Sequence, residues 1–176
     1  MNDSNDTPKP VEPGPGAALF AGPFMGRESF RALVRDALGE AARAGWRELI
    51  LADADFNDWP LGERVVIDAL TAWVLSGQRL RLLARRYDAV YRQHPRFVTW
   101  RRQWSHKIEA RGVPAADALD VPSVLWTPGW ALQRTDVLRS GGFCGPEPDR
   151  RVMLRELLDE WLLRSSPAFP ADTLGL

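Results

Sequence analysis

Apolar positions along the chain fall into two periods. From Arg27 onward, Phe30, Leu33, Val34, Ala37, Leu38, Ala41 and Ala42 recur at helical spacing. This predicts an amphipathic helix over 27–44, ended by Gly45 as a C-cap. Leu49, Ile50 and Leu51 then form a short apolar run that reads as a buried strand. Pro60 suits the first turn of a helix. Leu61, Val65, Val66, Ala69, Leu70, Trp73 and Val74 continue that helix to about Leu75, with Gly77 as its cap. The stretch "RLRLLARRY" alternates and reads as a second strand. Residues 27–87 are therefore helix–strand–helix–strand. Two strands joined through a helix by short loops make a right-handed crossover in a parallel sheet.

Further on, 88–108 reads as helical with a break at Pro95. Phe97, Trp100, Arg101, Trp104 and Ile108 share one face. "GVPAADALDVP" reads as a loop. "SVLWTPGWALQR" has two short apolar segments about Thr127-Pro128-Gly129, the pattern of a hairpin or a tightly turned strand. "SGGFCGPEP" reads as a second loop. Val152, Leu154, Leu157, Leu158, Trp161 and Leu162 mark a last helix with Asp149 as N-cap, and "SSPAFPADTLGL" is expected to lie extended on the surface. Residues 1–18 are polar and rich in Pro and Gly, the composition of a disordered tail. The expected organisation is a tail over 1–18 and one α/β domain over 19–176, a mixed sheet flanked by helices.

Composition narrows the function classes. The 176 residues are 45% hydrophobic and 26% charged, enough for one core. Lys+Arg and Asp+Glu are 23 each, so no chain-wide basic field is available for nucleic acid or membrane, although a local patch is. Only Lys9 and Lys107 are lysine; every other cation is arginine, which we attribute to coding bias before function. Cys144 is the sole cysteine, which fits a reducing, cytoplasmic setting. No apolar run approaches 18 residues, so no membrane span is expected, and the first residues do not read as a signal peptide.

Asp53, Asp55 and Asp58 follow the first strand in "LADADFNDWPL". Carboxylates at the end of a parallel strand occupy the usual place of an α/β site and suit Mg²⁺. The D-x-D resembles haloacid-dehalogenase-type phosphatases, but Asn57 stands where that pattern has Thr or Val, and a whole helix precedes the strand. The bland alternative has Asp58 capping the next helix while Asp53 and Asp55 pair with arginines. Arg85 and Arg86, at the end of the second strand, are the expected partners. His94 and His106 show no metal-ligand spacing with Cys144, and the G-x-S-x-G elbow is absent.

"RFVTWRRQWSHK" is the most distinctive surface candidate. Trp100 and Trp104 are four apart and share a face, beside Arg96, Arg101, Arg102 and Lys107. Arginine over tryptophan can bind single-stranded nucleic acid, here through Arg101, Arg102 and Trp104. The competing reading places the tryptophans in the core with the arginines as a solvated edge.

The span "ELILADADFNDWPLGERVVIDALTAWVLSGQRLRLLARRYD" resembles half of a phospholipase D-type domain: Leu61, Ala69-Leu70, Gly77 and "LRLLA" fall in matching places. The opening helix and the closing one, with Leu158 and Trp161, extend the likeness to about 27–165. That family's H-x-K-x4-D signature is missing. His94 is followed by Arg96, but Arg101 stands at the Asp position; His106 has Ile108 where the Lys belongs; Pro122 and Ser123 lie where the motif falls in the family. The resemblance implies a degenerate, single-copy half-domain, similar to small bacterial domains sometimes attached to acetyltransferase-type domains. It favours a non-catalytic binding or regulatory module over an enzyme, with no cofactor. Its phosphate-facing cleft would draw on Asp53, Asp55, Arg85, Arg86 and His106 and take a phosphate-containing ligand. A homodimer through the family's dyad face is the matching expectation. The alternatives are a Mg²⁺-dependent phosphohydrolase using Asp53 and Asp55, or the nucleic-acid reading above.

Overall fold

The computed structural model describes residues 18–77 and 79–171. Residues 1–17 of the expected tail lie outside them. The order of elements is β1 (Gly22–Phe24), α1 (Arg27–Arg43), β2 (Glu48–Asp53), α2 (Arg64–Val74), β3 (Arg79–Ala84), α3 (Asp88–Gln93), α4 (Pro95–Gln103), a 3-10 turn at Ser105–Lys107, β4 (Ile108–Gly112), β5 (Ser123–Trp126), β6 (Ala131–Asp136), β7 (Gly141–Gly145), α5 (Pro148–Arg164) and β8 (Ser166–Pro167). The strands form one open mixed sheet in the order β1-β7-β6-β5-β2-β3-β4-β8. β2, β3 and β4 run parallel, and the remaining neighbours pair antiparallel. This is the expected single α/β domain with helices on both faces.

Alternation along the strands fills two cores. Leu49, Leu51, Leu80, Leu82, Leu125 and Leu132 face α1, α2 and α4, in a layer that also buries Trp59, Trp73, Trp100 and Trp130. Ile50, Ala52, Leu83, Val124 and Trp126 face α5, which supplies Leu154 and Leu158, with Trp161 packed beside them. α1 keeps its predicted limits, and Gly45, at φ 66°, follows its C-cap in the left-handed conformation that glycine adopts without strain.

The structure departs from the sequence reading in several places. α2 starts at Arg64 with Glu63 as its N-cap, not near Pro60. Phe56, Trp59 and Leu61 are fully buried, so 56–63 folds as core-anchored turns in which Asp58 caps nothing. α5 begins at Pro148 after Glu147, which places Asp149 in its first turn instead of at the cap. Ile108 opens β4, a strand hidden at the border of the helical and loop readings. "SGGFCGP" is largely β7, with a glycine where a Cβ on residue 142 would lie 2.0 Å from Gln133 O. Lys107 Nζ donates to Val74 O at 2.6 Å and Gly77 O at 3.1 Å, closing the C-terminal end of α2.

Candidate nucleic-acid interface

The parallel strands end in register, Asp53 beside Ala84 and Ala84 beside Gly112. The loops leaving them occupy the usual ligand edge of an α/β sheet. Asp53 is not open to that edge. It is 2% exposed. Its Oδ2 accepts the N–H of Asp55 at 3.2 Å and of Phe56 at 2.9 Å, which holds Phe56 at φ 58°. Its Oδ1 accepts Arg134 Nη2 at 2.9 Å.

Arg134 comes from β6, one strand beyond β5, and is itself buried. It also donates to Ser123 Oγ at 3.1 Å and Asp58 Oδ2 at 3.2 Å, and its guanidinium lies 4.4 Å from the centre of the Phe30 ring. Both oxygens of Asp53 are thus committed to holding the loop and β6 together. A nucleophile or Mg²⁺ ligand needs a lone pair open to the substrate or ion; with Asp53 2% exposed and both oxygens engaged inside the protein, the phosphohydrolase reading finds no open carboxylate there. Among the described residues, no group of three or more His, Cys, Asp or Glu is placed to hold a metal ion.

Asp55, Arg85 and Arg86 do share one groove, together with Asp88 and Arg92. Arg85 spends its Nε on Ala116 O at 2.8 Å. Arg85 and Arg86 take no carboxylate of Asp53, whose partner is Arg134. His106 does not join them. It precedes β4, at the opposite end of the parallel strands from Asp53 and Arg85, so the five-residue cleft anticipated from sequence does not assemble.

The Arg–Trp segment divides between core and surface. Trp100 is 3% exposed and Arg101 7%, with the Arg101 guanidinium 5.8 Å from the Phe169 ring centre. Trp104 is half-buried, against the core. Base stacking on Trp104 and contacts from Arg101 are therefore corrected: these side chains build the helix's inner face. Arg102 stays exposed. At 100° per residue, positions 95, 96, 99, 102 and 103 of α4 lie within an arc of about 120°. All five are exposed, and they present Pro95, Arg96, Thr99, Arg102 and Gln103.

The sequence carries a further charge signal here. From Ala89 to Ile108 there are five Arg or Lys and no Asp or Glu. With Arg101 inside and Lys107 engaged on α2, the outward cations are Arg92, Arg96 and Arg102. Arg96 reaches Gly62 O at 3.2 Å, and across a shallow groove from it stands Arg64 of α2. Among the described residues, opposing charge enters that groove only from Asp68. Such a face carries outward positive charge but no exposed tryptophan platform for bases.

No helix among the described residues is long and apolar enough to cross a membrane. No family model matches the chain, and no curated protein matches it. Among solved structures it is similar to TrmBL2, an archaeal chromatin protein that shows a novel mode of DNA binding, with a TM-score of 0.64 and 14% identity over 88% of this chain and 56% of that one. The chain spans little more than half the length of that protein. This finding overturns the phospholipase D-type assignment. The strand–helix–strand sequence that carried the likeness is common to parallel α/β units, and the signature that would have made it specific is absent. At this identity the similarity to TrmBL2 is one of fold: an open, mixed, helix-flanked sheet.

Proposed function

We propose that this domain binds nucleic acid through the outer face of α3 and α4. The observation that carries the reading is the acid-free stretch from Ala89 to Ile108, whose arginines at 92, 96 and 102 point outward. The fold shared with a DNA-binding chromatin protein supports it. The contacts are to phosphates, because the tryptophans that would stack on bases face the core. Arg64, on the far wall of the α2–α4 groove, extends the same face.

Three phosphate contacts give a slope of log affinity against log salt of roughly −2 to −3. Fluorescence anisotropy with labelled oligonucleotides, titrated at several salt concentrations, measures it. The double variant Arg96→Ala/Arg102→Ala is expected to weaken binding about tenfold or more and to flatten the slope by about 2. Absence of binding at low salt, or a double variant with wild-type affinity, sinks the proposal.

A further inference from the structure

The chain leaves α5 at Ser165, where φ −86° and ψ 165° convert helix into extended backbone. The segment beyond Ser165 is held to the sheet by little. Ser166 pairs with Gly112 and Pro167 with Arg111, and Pro167 has no N–H to give. The Ala168 N–H donates to Ala110 O at 3.0 Å. Arg111 donates to Ser165 O at 2.6 Å and to Ser165 Oγ at 2.9 Å. Open grooves flank the segment, one lined by Arg86, Tyr91 and Pro114, the other by Val113, Asp117 and Trp161.

Its one deep anchor is Phe169, 4% exposed and held at φ 47°, a region that a phenylalanine enters only against a steric penalty. The ring stacks on Tyr87 at 4.8 Å and 10°, meets Tyr91 edge-on at 5.1 Å, and faces Phe97 at 6.4 Å. Tyr87 and Tyr91 belong to the start and body of α3, Phe97 and Arg101 to α4. One side chain thus braces the inner faces of the two short helices whose outer faces carry Arg92, Arg96 and Arg102.

We propose that Ser165–Pro170 is a releasable latch. Docked, Phe169 fixes α3 against α4 and so fixes the spacing of the outward arginines. Undocked, it opens the aromatic slot and loosens both helices while the sheet persists. The effect on nucleic acid rests on the function proposed above; the latch itself does not.

Hydrogen exchange on the wild-type chain tests it first. The Ala168 amide is expected to exchange about 100-fold faster than the Leu82 amide at the centre of β3, since local opening precedes global unfolding. Equal rates overturn the latch. In Phe169→Ala, amides of 88–104 are expected to exchange about tenfold faster with β2 and β3 unchanged, and Phe169→Leu to fall between. Unchanged helix exchange in a folded Phe169→Ala overturns it. Where the Ala variant does not fold, the Leu variant and the wild-type comparison decide. Oligonucleotide affinity of Phe169→Ala at fixed salt is expected to drop about three- to tenfold. Helices that loosen in a chain that binds no nucleic acid count against the proposed function and leave the latch standing.

Discussion

Arg134 shows why a carboxylate in a site-like position is not a site. It satisfies Asp53 inside the protein, with Ser123 of the intervening strand taking its Nε. Removing one partner of a buried ion pair leaves the other charge without compensation, typically at a cost of about 3–5 kcal/mol. Arg134→Ala is therefore expected to lower unfolding free energy by about that much in urea titration, and Asp53→Asn by about 1–3 kcal/mol. A midpoint unmoved in both variants would show that the pair is dispensable. That Asp53 meets an arginine was legible in the sequence. Which arginine was not: "ALQRTD" shows Arg134 on the face of Leu132, but the order of strands that carries it to Asp53 is set by long-range pairing. Cys144 is similarly quiet. Burial pushes its thiol up to about 11, away from the reactive thiolate.

At the level of elements, strongly periodic segments were readable and glycine-rich or very short ones were not. α1, β2 and β3 follow from apolar spacing alone. β7 did not, because "GGFCG" carries the composition of a loop. Its glycines are there for close approach, as the 2.0 Å between a Cβ on residue 142 and Gln133 O indicates. Gly142→Ala is expected to destabilise by about 2 kcal/mol or more in thermal or urea unfolding, since β6 cannot yield without breaking its ladder. Two links between elements depend on pH in the same direction. His94 Nε2 lies 2.9 Å from Phe56 O, tying the α3–α4 junction to the strand-end loop, and burial holds its pKa below the usual 6.5. The folded state therefore binds this proton less readily than the unfolded one, and stability declines as pH falls through and below 6.5. Glu63, bonded by Arg35 and Arg31 of α1, is held below 4.5 chiefly by the Arg35 hydrogen bond. Its contribution is present above the usual carboxylate range and disappears as pH falls beneath it. Urea midpoints from pH 7 to 3 are expected to fall in two stages. His94→Gln flattens the first and Glu63→Gln the second; wild-type profiles in both variants would contradict the assignment.

At the scale of the molecule, zero net charge conceals segregation. The sheet surface under α5 balances Arg79, Arg81 and Arg155 against Glu48, Glu109 and Asp159. α4 carries Arg96 and Arg102 with no acidic residue of its own, whereas Arg92 of α3 shares a groove with Asp55 and Asp88. The single-domain α/β class was legible from the alternating pattern; the outward face was obscured because the same segment also carries core tryptophans. The dyad expected to pair two copies rested on the phospholipase D likeness and falls with it. Both rims of the sheet, β1 and β8, are two or three residues long and contain a proline, Pro23 and Pro167, which denies a neighbouring strand its ladder. Light scattering is expected to give a mass near 19.8 kDa across concentrations; a stable doubled mass would reveal an interface elsewhere.

The placement of the indoles has an optical consequence. Trp59, Trp73, Trp100 and Trp130 sit in the layer beneath α1, α2 and α4, while Trp126 and Trp161 sit beneath or on α5, each under an arginine, Arg155 or Arg164. Emission from this chain is thus a sum over these two populations and the half-buried Trp46 and Trp104 at the margin of the main layer. A colour change on loosening α5 differs from one on opening the main layer, so the protein carries its own two-channel reporter without an added dye.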